Sequence, residues 1–100
     1  MVMAWSWRQY ESLLRRMAES MGLMITAVPA KGKLPAAWYV AKKRDGDMFR
    51  LTVSYFSPKE LLDKFLNHYD VINTGFGMVR NGFYGMSPEE AELRLAAMGA

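Results

Sequence analysis

Cysteine is absent from this 100-residue chain, and histidine occurs once, at His68. The first absence removes disulfides, thiolate zinc sites and cysteine nucleophiles. The second leaves no histidine pair around which a zinc set could form, and Asp45-Gly46-Asp47 is too short for a calcium loop. Long hydrophobic runs are missing as well, since the longest falls far short of the ~20 residues a membrane helix needs. The start, Met1-Val2-Met3-Ala4-Trp5, is apolar but lacks the basic-then-apolar layout of a secretory signal. These absences fit a cytoplasmic protein with no membrane partner. No metal, cofactor or catalytic residue is expected, and the chain reads as a non-enzyme.

What is present is a core. Hydrophobic residues make up 51% of the chain and aromatics 13%. A single domain of this length buries roughly two-thirds of its unfolded surface and folds without covalent staples. The expected organisation is therefore one α+β domain spanning residues 1–100.

Its architecture is marked by a pattern that occurs three times: apolar, Ser, two residues, Glu or Gln, apolar. The copies are Trp5-Ser6-Trp7-Arg8-Gln9-Tyr10, Phe56-Ser57-Pro58-Lys59-Glu60-Leu61 and Met86-Ser87-Pro88-Glu89-Glu90-Ala91. In each, the Ser hydroxyl can accept from a free N–H of the first helical turn. The Glu or Gln can accept from the N–H of the Ser, and the flanking apolar pair sets the angle of approach. Pro58 and Pro88 occupy the first helical position, where the missing N–H is not needed. Helices are predicted over about residues 7–21, from Ser57 to about Tyr69, and over about 88–98. Tyr10, Leu13, Leu14, Met17 and Met21 form the first apolar stripe; Leu61, Leu62, Phe65, Leu66 and Tyr69 form the second; Ala91, Leu95 and Met98 form the third.

Between the first two helices, residues 23–28 read as a strand and 29–35 as a loop bounded by prolines. Asp45-Gly46 is a strong hairpin signal between two alternating runs. A turn there pairs Arg44 with Asp47, Val40 with Leu51 and Trp38 with Val53. Trp38, Val40, Phe49, Leu51 and Val53 then share the face a helix covers. Tyr39, Lys43, Met48, Arg50 and Thr52 share the opposite, open face, and a slip by one residue would invert every assignment. After the second helix, Asn81-Gly82 is expected to close a small hairpin between Met78-Val79-Arg80 and Phe83-Tyr84. The predicted order is α-β-β-β-α-(β-hairpin)-α, an antiparallel three-stranded sheet with helices packed on one face.

Charge is polarised along the chain. In the middle, Lys31, Lys33, Lys42, Lys43, Arg44 and Arg50 face only Asp45 and Asp47, while the last fifty residues carry four positive and six negative charges. The six basic residues are candidates for nucleic-acid contact. His68 falls on the polar side of the second helix beside Asp63 and Lys64. The stretch 74–85 holds four glycines together with Phe76, Arg80, Phe83 and Tyr84, which could stack on or pair with a partner. It lacks the lysine of a phosphate loop.

Residues 38–69 read strand, turn, strand, then Phe-Ser-Pro-Lys-Glu into a helix. This resembles the three-stranded DNA-binding domains at the start of many phage-type integrases. The resemblance implies an open sheet face in the major groove, with Tyr39, Lys43, Arg50 and Thr52 facing DNA; Met48 departs from that pattern. The whole plan is also similar to small phage-encoded inhibitors, including several anti-CRISPR proteins, which implies a non-catalytic domain that blocks a host protein surface. The first expectation is a protein-binding module using Tyr39, Lys43, Met48, Arg50, Thr52, Phe76, Arg80, Phe83 and Tyr84. The alternative is a nucleic-acid-binding domain using the basic hairpin Lys42-Lys43-Arg44 and the open face. A homodimer joined through that face fits the same residues.

Overall fold

All three serine signals open helices in the computed structural model, which describes residues 5–73 and 77–99. These are α1 (Trp7–Ser20), α2 (Pro58–His68) and α3 (Pro88–Ala97). Ser6 and Ser87 form complete capping boxes. Gln9 Oε1 accepts from Ser6 N–H at 2.6 Å, and Glu90 Oε1 accepts from Ser87 N–H at 3.3 Å. The middle signal departs from the expected box. Ser57 Oγ does accept from Glu60 N–H, but the Glu60 carboxylate reaches one residue further back, to Phe56 N–H at 2.9 Å. Trp5 packs against Tyr10 with ring centroids 5.6 Å apart and planes tilted by 37°, the aromatic staple that the first signal implied.

Strands β1 (Met24–Val28), β2 (Ala37–Arg44) and β3 (Asp47–Arg50) form an antiparallel sheet in the order β1-β2-β3. Asp45 and Gly46 both have positive φ, +52° and +85°, as a two-residue hairpin turn requires. Arg44 pairs with Asp47, Lys43 with Met48, Lys42 with Phe49 and Ala41 with Arg50, the expected register. Leu51 N–H still donates to Val40 C=O at 2.8 Å.

Beyond that point the ladder changes. Val40 N–H donates to the Thr52 hydroxyl at 3.0 Å instead of to a backbone carbonyl. The next bridge joins Trp38 to Tyr55, not to Val53. Two additional residues have been accommodated in the second strand, which then kinks outward. Parity along the strand is kept, so Leu51 and Tyr55 still pack on the core. Val53 does not: it is 64% exposed, and Phe49, also expected inside, lies at the exposed end of the sheet.

The core forms where the helix-facing side of the sheet meets α1 and α2. Ile25, Trp38 and Val40 from the strands are buried with Leu13, Leu14 and Met17 of α1 and with Leu61, Leu62, Phe65 and Leu66 of α2. Full burial of each such Leu or Phe contributes roughly 1.5–3 kcal/mol relative to exposure. Ala91 and Leu95 anchor α3, while Met98, expected in its stripe, is largely exposed at the C-cap. Arg15 ties α1 to the outer edge of β1. Its Nη1 donates to Ile25 C=O at 3.0 Å, its Nε and Nη2 both donate to Glu11 Oε1, and its guanidinium lies 5.8 Å from the Trp38 ring centroid. Arg16 and Glu92 form a two-point ion pair between α1 and α3. Its hydrogen bonds hold the Glu92 carboxyl below the ordinary carboxylate range and raise the Arg16 guanidinium.

A second, two-stranded antiparallel sheet pairs β4 (Val71–Asn73) with β5 (Met78–Arg80). The strand Met78-Val79-Arg80 was expected, but its partner is Val71–Asn73 rather than Phe83-Tyr84. Asn81-Gly82 is not a hairpin tip. Asn81 is buried, and its amide serves the end of α2: Nδ2 donates to Phe65 C=O at 2.7 Å, while Oδ1 accepts from Phe83 N–H at 2.9 Å. Gly85 N–H donates to Leu66 C=O at 2.7 Å. Carbonyls in the last helical turn have no partner within their own helix, so segment 81–85 caps α2 from a distance. The turn that brings Gly85 there has φ +83°, a glycine-favouring value.

Two outcomes follow. Asn81→Ala strands two buried backbone groups, so the unfolding free energy should fall by about 2–4 kcal/mol, measured by urea denaturation; Asn81→Asp, which keeps the acceptor but turns a buried carboxylate oxygen toward the Phe65 carbonyl, should be no less destabilising at neutral pH. Separately, the Tyr55 and Tyr69 hydroxyls lie 3.0 Å apart. Burial, then the bond and charge of Tyr55, push Tyr69 up to about 12 from its ordinary value near 10. A raised folded value means the stabilisation is complete below the unfolded value and is lost as pH rises from about 10 to about 12. Phenolate absorbance should show one late-titrating tyrosine, moved back toward 10 in Tyr55→Phe but not fully, because burial remains.

Candidate functional site

Alternation along the paired strands decides which side chains face away from the helices. They are Met24, Thr26 and Val28 of β1, Ala37, Tyr39, Ala41 and Lys43 of β2, and Met48 and Arg50 of β3. Tyr39, Lys43, Met48 and Arg50 were expected on this face. Thr52 was expected there too and is not: it is 8% exposed, its hydroxyl accepting from Val40 N–H and donating to Val53 C=O, both at 3.0 Å. The departure from regular pairing turns its side chain into the sheet, where the hydroxyl replaces a ladder acceptor.

The same irregular segment organises Arg50. Its Nε donates to Thr52 C=O at 2.9 Å and its Nη2 to Ser54 Oγ at 2.5 Å. The guanidinium carbon lies 4.8 Å from the Tyr39 ring centroid, a cation–π contact. A long, flexible side chain is thus held in one place by two hydrogen bonds and an aromatic ring. Beside it, Met48 is 52% exposed, with its sulfur 3.6 Å from the Thr26 hydroxyl.

Next to this cluster a groove of about 600 Å³ lies at the end of the open face where β1 finishes and β2 begins. Val28, Leu34, Ala37 and Phe56 supply apolar walls, and Tyr39, Arg50, Ser54 and Lys31 supply the polar groups. Leu34 is 70% exposed and Phe56 68%. Leu34 is presented by a tight turn in which Lys31 and Leu34 exchange both backbone hydrogen bonds at 2.9 Å, with Gly32 at φ +58°. Sequence reasoning treated 29–35 as a connecting loop and placed Phe56 in a helix staple, so it missed both walls. The available signal was the composition Pro29-Ala30-Lys31-Gly32-Lys33-Leu34-Pro35, a turn with a large apolar residue on it.

The other expected contacts lie elsewhere. Phe83 is 1% exposed and belongs to the core, because the turn after Asn81 drives its ring inward. Arg80 and Tyr84 are exposed, but on β5 of the separate two-stranded sheet and on the turn after it. Phe76 lies outside the described residues. The basic residues are also divided. Lys31 and Lys33 sit at the turn before β2, whereas Lys43 and Arg44 lie at its far end, roughly 20 Å away along a strand rising about 3.3 Å per residue. Register places Lys42 on the helix-facing side and Lys43 on the open side, and Arg44 pairs with Asp45 at 3.5 Å. His68 is exposed in the last turn of α2.

Among the described residues, no group of three or more His, Asp or Glu side chains comes together to hold a metal ion, and no helix is long and apolar enough to cross a membrane. The chain matches no protein-family model, and no curated protein and no solved structure matches it significantly.

The division of labour between Thr52 and the open face is measurable. Thr52→Val leaves Val40 N–H without its acceptor and should lower stability by about 1–3 kcal/mol. Met48→Ala on the open face should stay within about 0.5 kcal/mol of the parent. Paired denaturation curves check both values.

Proposed function

We propose that this protein is a non-catalytic binding module that acts by occupying a protein surface through the open face of its three-stranded sheet. The observation that carries this reading is the groove bounded by Leu34, Phe56, Tyr39 and Arg50. It combines exposed apolar walls with an aromatic and an arginine already held in position, the residue types that supply most interface energy. Holding Arg50 against Tyr39 before binding reduces the side-chain entropy lost when a partner docks. The chemistry offered is recognition: shape, apolar area and one oriented cation. Steric exclusion at the partner's surface is the mode of action, the same mode that the resemblance to phage-encoded inhibitors implies.

The nucleic-acid reading draws on the same chain but on a different geometry. A duplex contact works by neutralising several phosphates at once, and the six basic residues are spread over two ends and two faces of the sheet. Protein contact is therefore the better-supported reading.

Two measurements test it together. Leu34→Glu should remove a partner captured by the parent protein from lysate of the source cells with melting temperature essentially unchanged, and Tyr39→Ala should remove it too while lowering the melting temperature, because it also takes the ring from Arg50. A partner retained equally by both variants would remove this face from consideration. Titration with duplex and single-stranded probes should show no strongly salt-dependent binding. Submicromolar, salt-sensitive affinity lost on replacing Lys42, Lys43 and Arg44 would put the nucleic-acid reading in its place.

A further inference from the structure

Arg50 carries an unusual combination of order and incompleteness. Two of its donors are used, on Thr52 C=O and Ser54 Oγ, and its guanidinium carbon lies over the Tyr39 ring. Among the described residues no carboxylate reaches it, as none reaches Arg8, Arg80 or Arg94; what sets Arg50 apart is that it is held in place beside the groove while still without one. A guanidinium has five N–H donors, and bidentate pairing with a carboxylate is its strongest use. Lys31, which lines the same groove, likewise has no ion pair among the described residues. Between these cations lies the apolar surface of Val28, Leu34 and Phe56.

We infer that the groove selects an acidic–apolar peptide segment: a partner stretch whose bulky apolar side chains fill the space between Leu34 and Phe56 while a flanking Asp or Glu pairs with Arg50 or Lys31. This deepens the proposed function and rests on it. The charge argument favours an anion because two positive groups with no internal counter-charge border one apolar cavity. It favours a side-chain carboxylate on a peptide because Leu34 and Phe56 are 70% and 68% exposed, so the groove is a trough at the surface along which an extended chain can lie. Arg50 is already ordered before binding, so a carboxylate gains a charge-assisted bond without freezing a long side chain.

The test uses the full chain, isotopically labelled, and two matched pools of blocked synthetic peptides. Both pools have the same randomised apolar centre; one is flanked by glutamates and the other by lysines. Backbone amide shifts locate binding, and titrations of individual binders measure it. The expected result is that glutamate-flanked peptides perturb the amides of Leu34, Tyr39 and Arg50 and weaken with added salt. Arg50→Gln should lower their affinity about tenfold or more, the scale of a lost charge-assisted pair. Because Arg50 also braces the 51–54 segment, Lys31→Gln serves as a second variant remote from it and should weaken the same peptides by several-fold with unchanged melting temperature. Equal binding by both pools at the groove would overturn charge selection while leaving apolar docking intact. If neither pool perturbs the groove, or binders settle elsewhere, both the selection and the docking face are refuted. Dodecanoate occupying the groove as tightly as the best peptide would refute the peptide assignment in favour of a free amphiphilic acid.

Discussion

Burial of one face of β2 is the constraint on which the rest of the structure depends. β2 is the central strand of the main sheet, with neighbours on both sides. Its alternate residues Trp38 and Val40 lie at the junction of α1 and α2. Strand alternation means that committing these two side chains to the core commits Tyr39 and Lys43 to the other side. The open face is therefore a consequence of the core. Trp38 is held from several directions, edge-on by Trp7 at 5.4 Å, by the Arg15 guanidinium and by backbone pairing to Tyr55. These contacts set the register against which everything else is placed.

The second organising feature is a deliberate departure from regular pairing. A strand that continued the hairpin register would have put Val53 opposite Trp38 and Thr52 in solvent. Accepting two extra residues exchanges those roles, and the cost is met locally. Thr52 supplies the acceptor that Val40 N–H loses, and Arg50 gathers the loose Thr52 carbonyl and the Ser54 hydroxyl. The kink that solves a backbone hydrogen-bonding problem also fixes Arg50 over the Tyr39 ring on the open face. Structural repair and the candidate recognition element are the same set of atoms.

A comparable economy governs the C-terminal third. Segment 81–85 has little regular structure, yet it closes the exposed end of α2 with the Asn81 amide and the Gly85 N–H, and it delivers Phe83 to the core. The glycine-rich stretch is in this part a capping device. Arg80 and Tyr84, the exposed contacts expected from it, belong to the smaller sheet and turn and do not complete the groove. The surface expected to unite hairpin and loop is two surfaces.

What the sequence determined by itself is whatever depends on neighbours along the chain. Helix starts were legible because a capping serine and its glutamate or glutamine lie three residues apart. The Asp45-Gly46 turn was legible because its backbone demands positive φ, and the first pairs of the hairpin follow from that turn by counting. Four of the open-face residues, Tyr39, Lys43, Met48 and Arg50, came correctly from the same count. Tertiary structure decided the rest. A hydroxyl at Thr52 has no local reason to point inward; only an unmatched Val40 N–H on another strand gives it one. Asn81-Gly82 is a good turn in isolation and becomes a cap because the Phe65 carbonyl, 16 residues away, lacks a partner. The groove joins Leu34 from one connection to Phe56 from another, residues distant in sequence that meet only after the sheet is assembled. Local backbone preferences act over three or four residues, whereas an unsatisfied buried group or an apolar cavity exists only once distant segments have met.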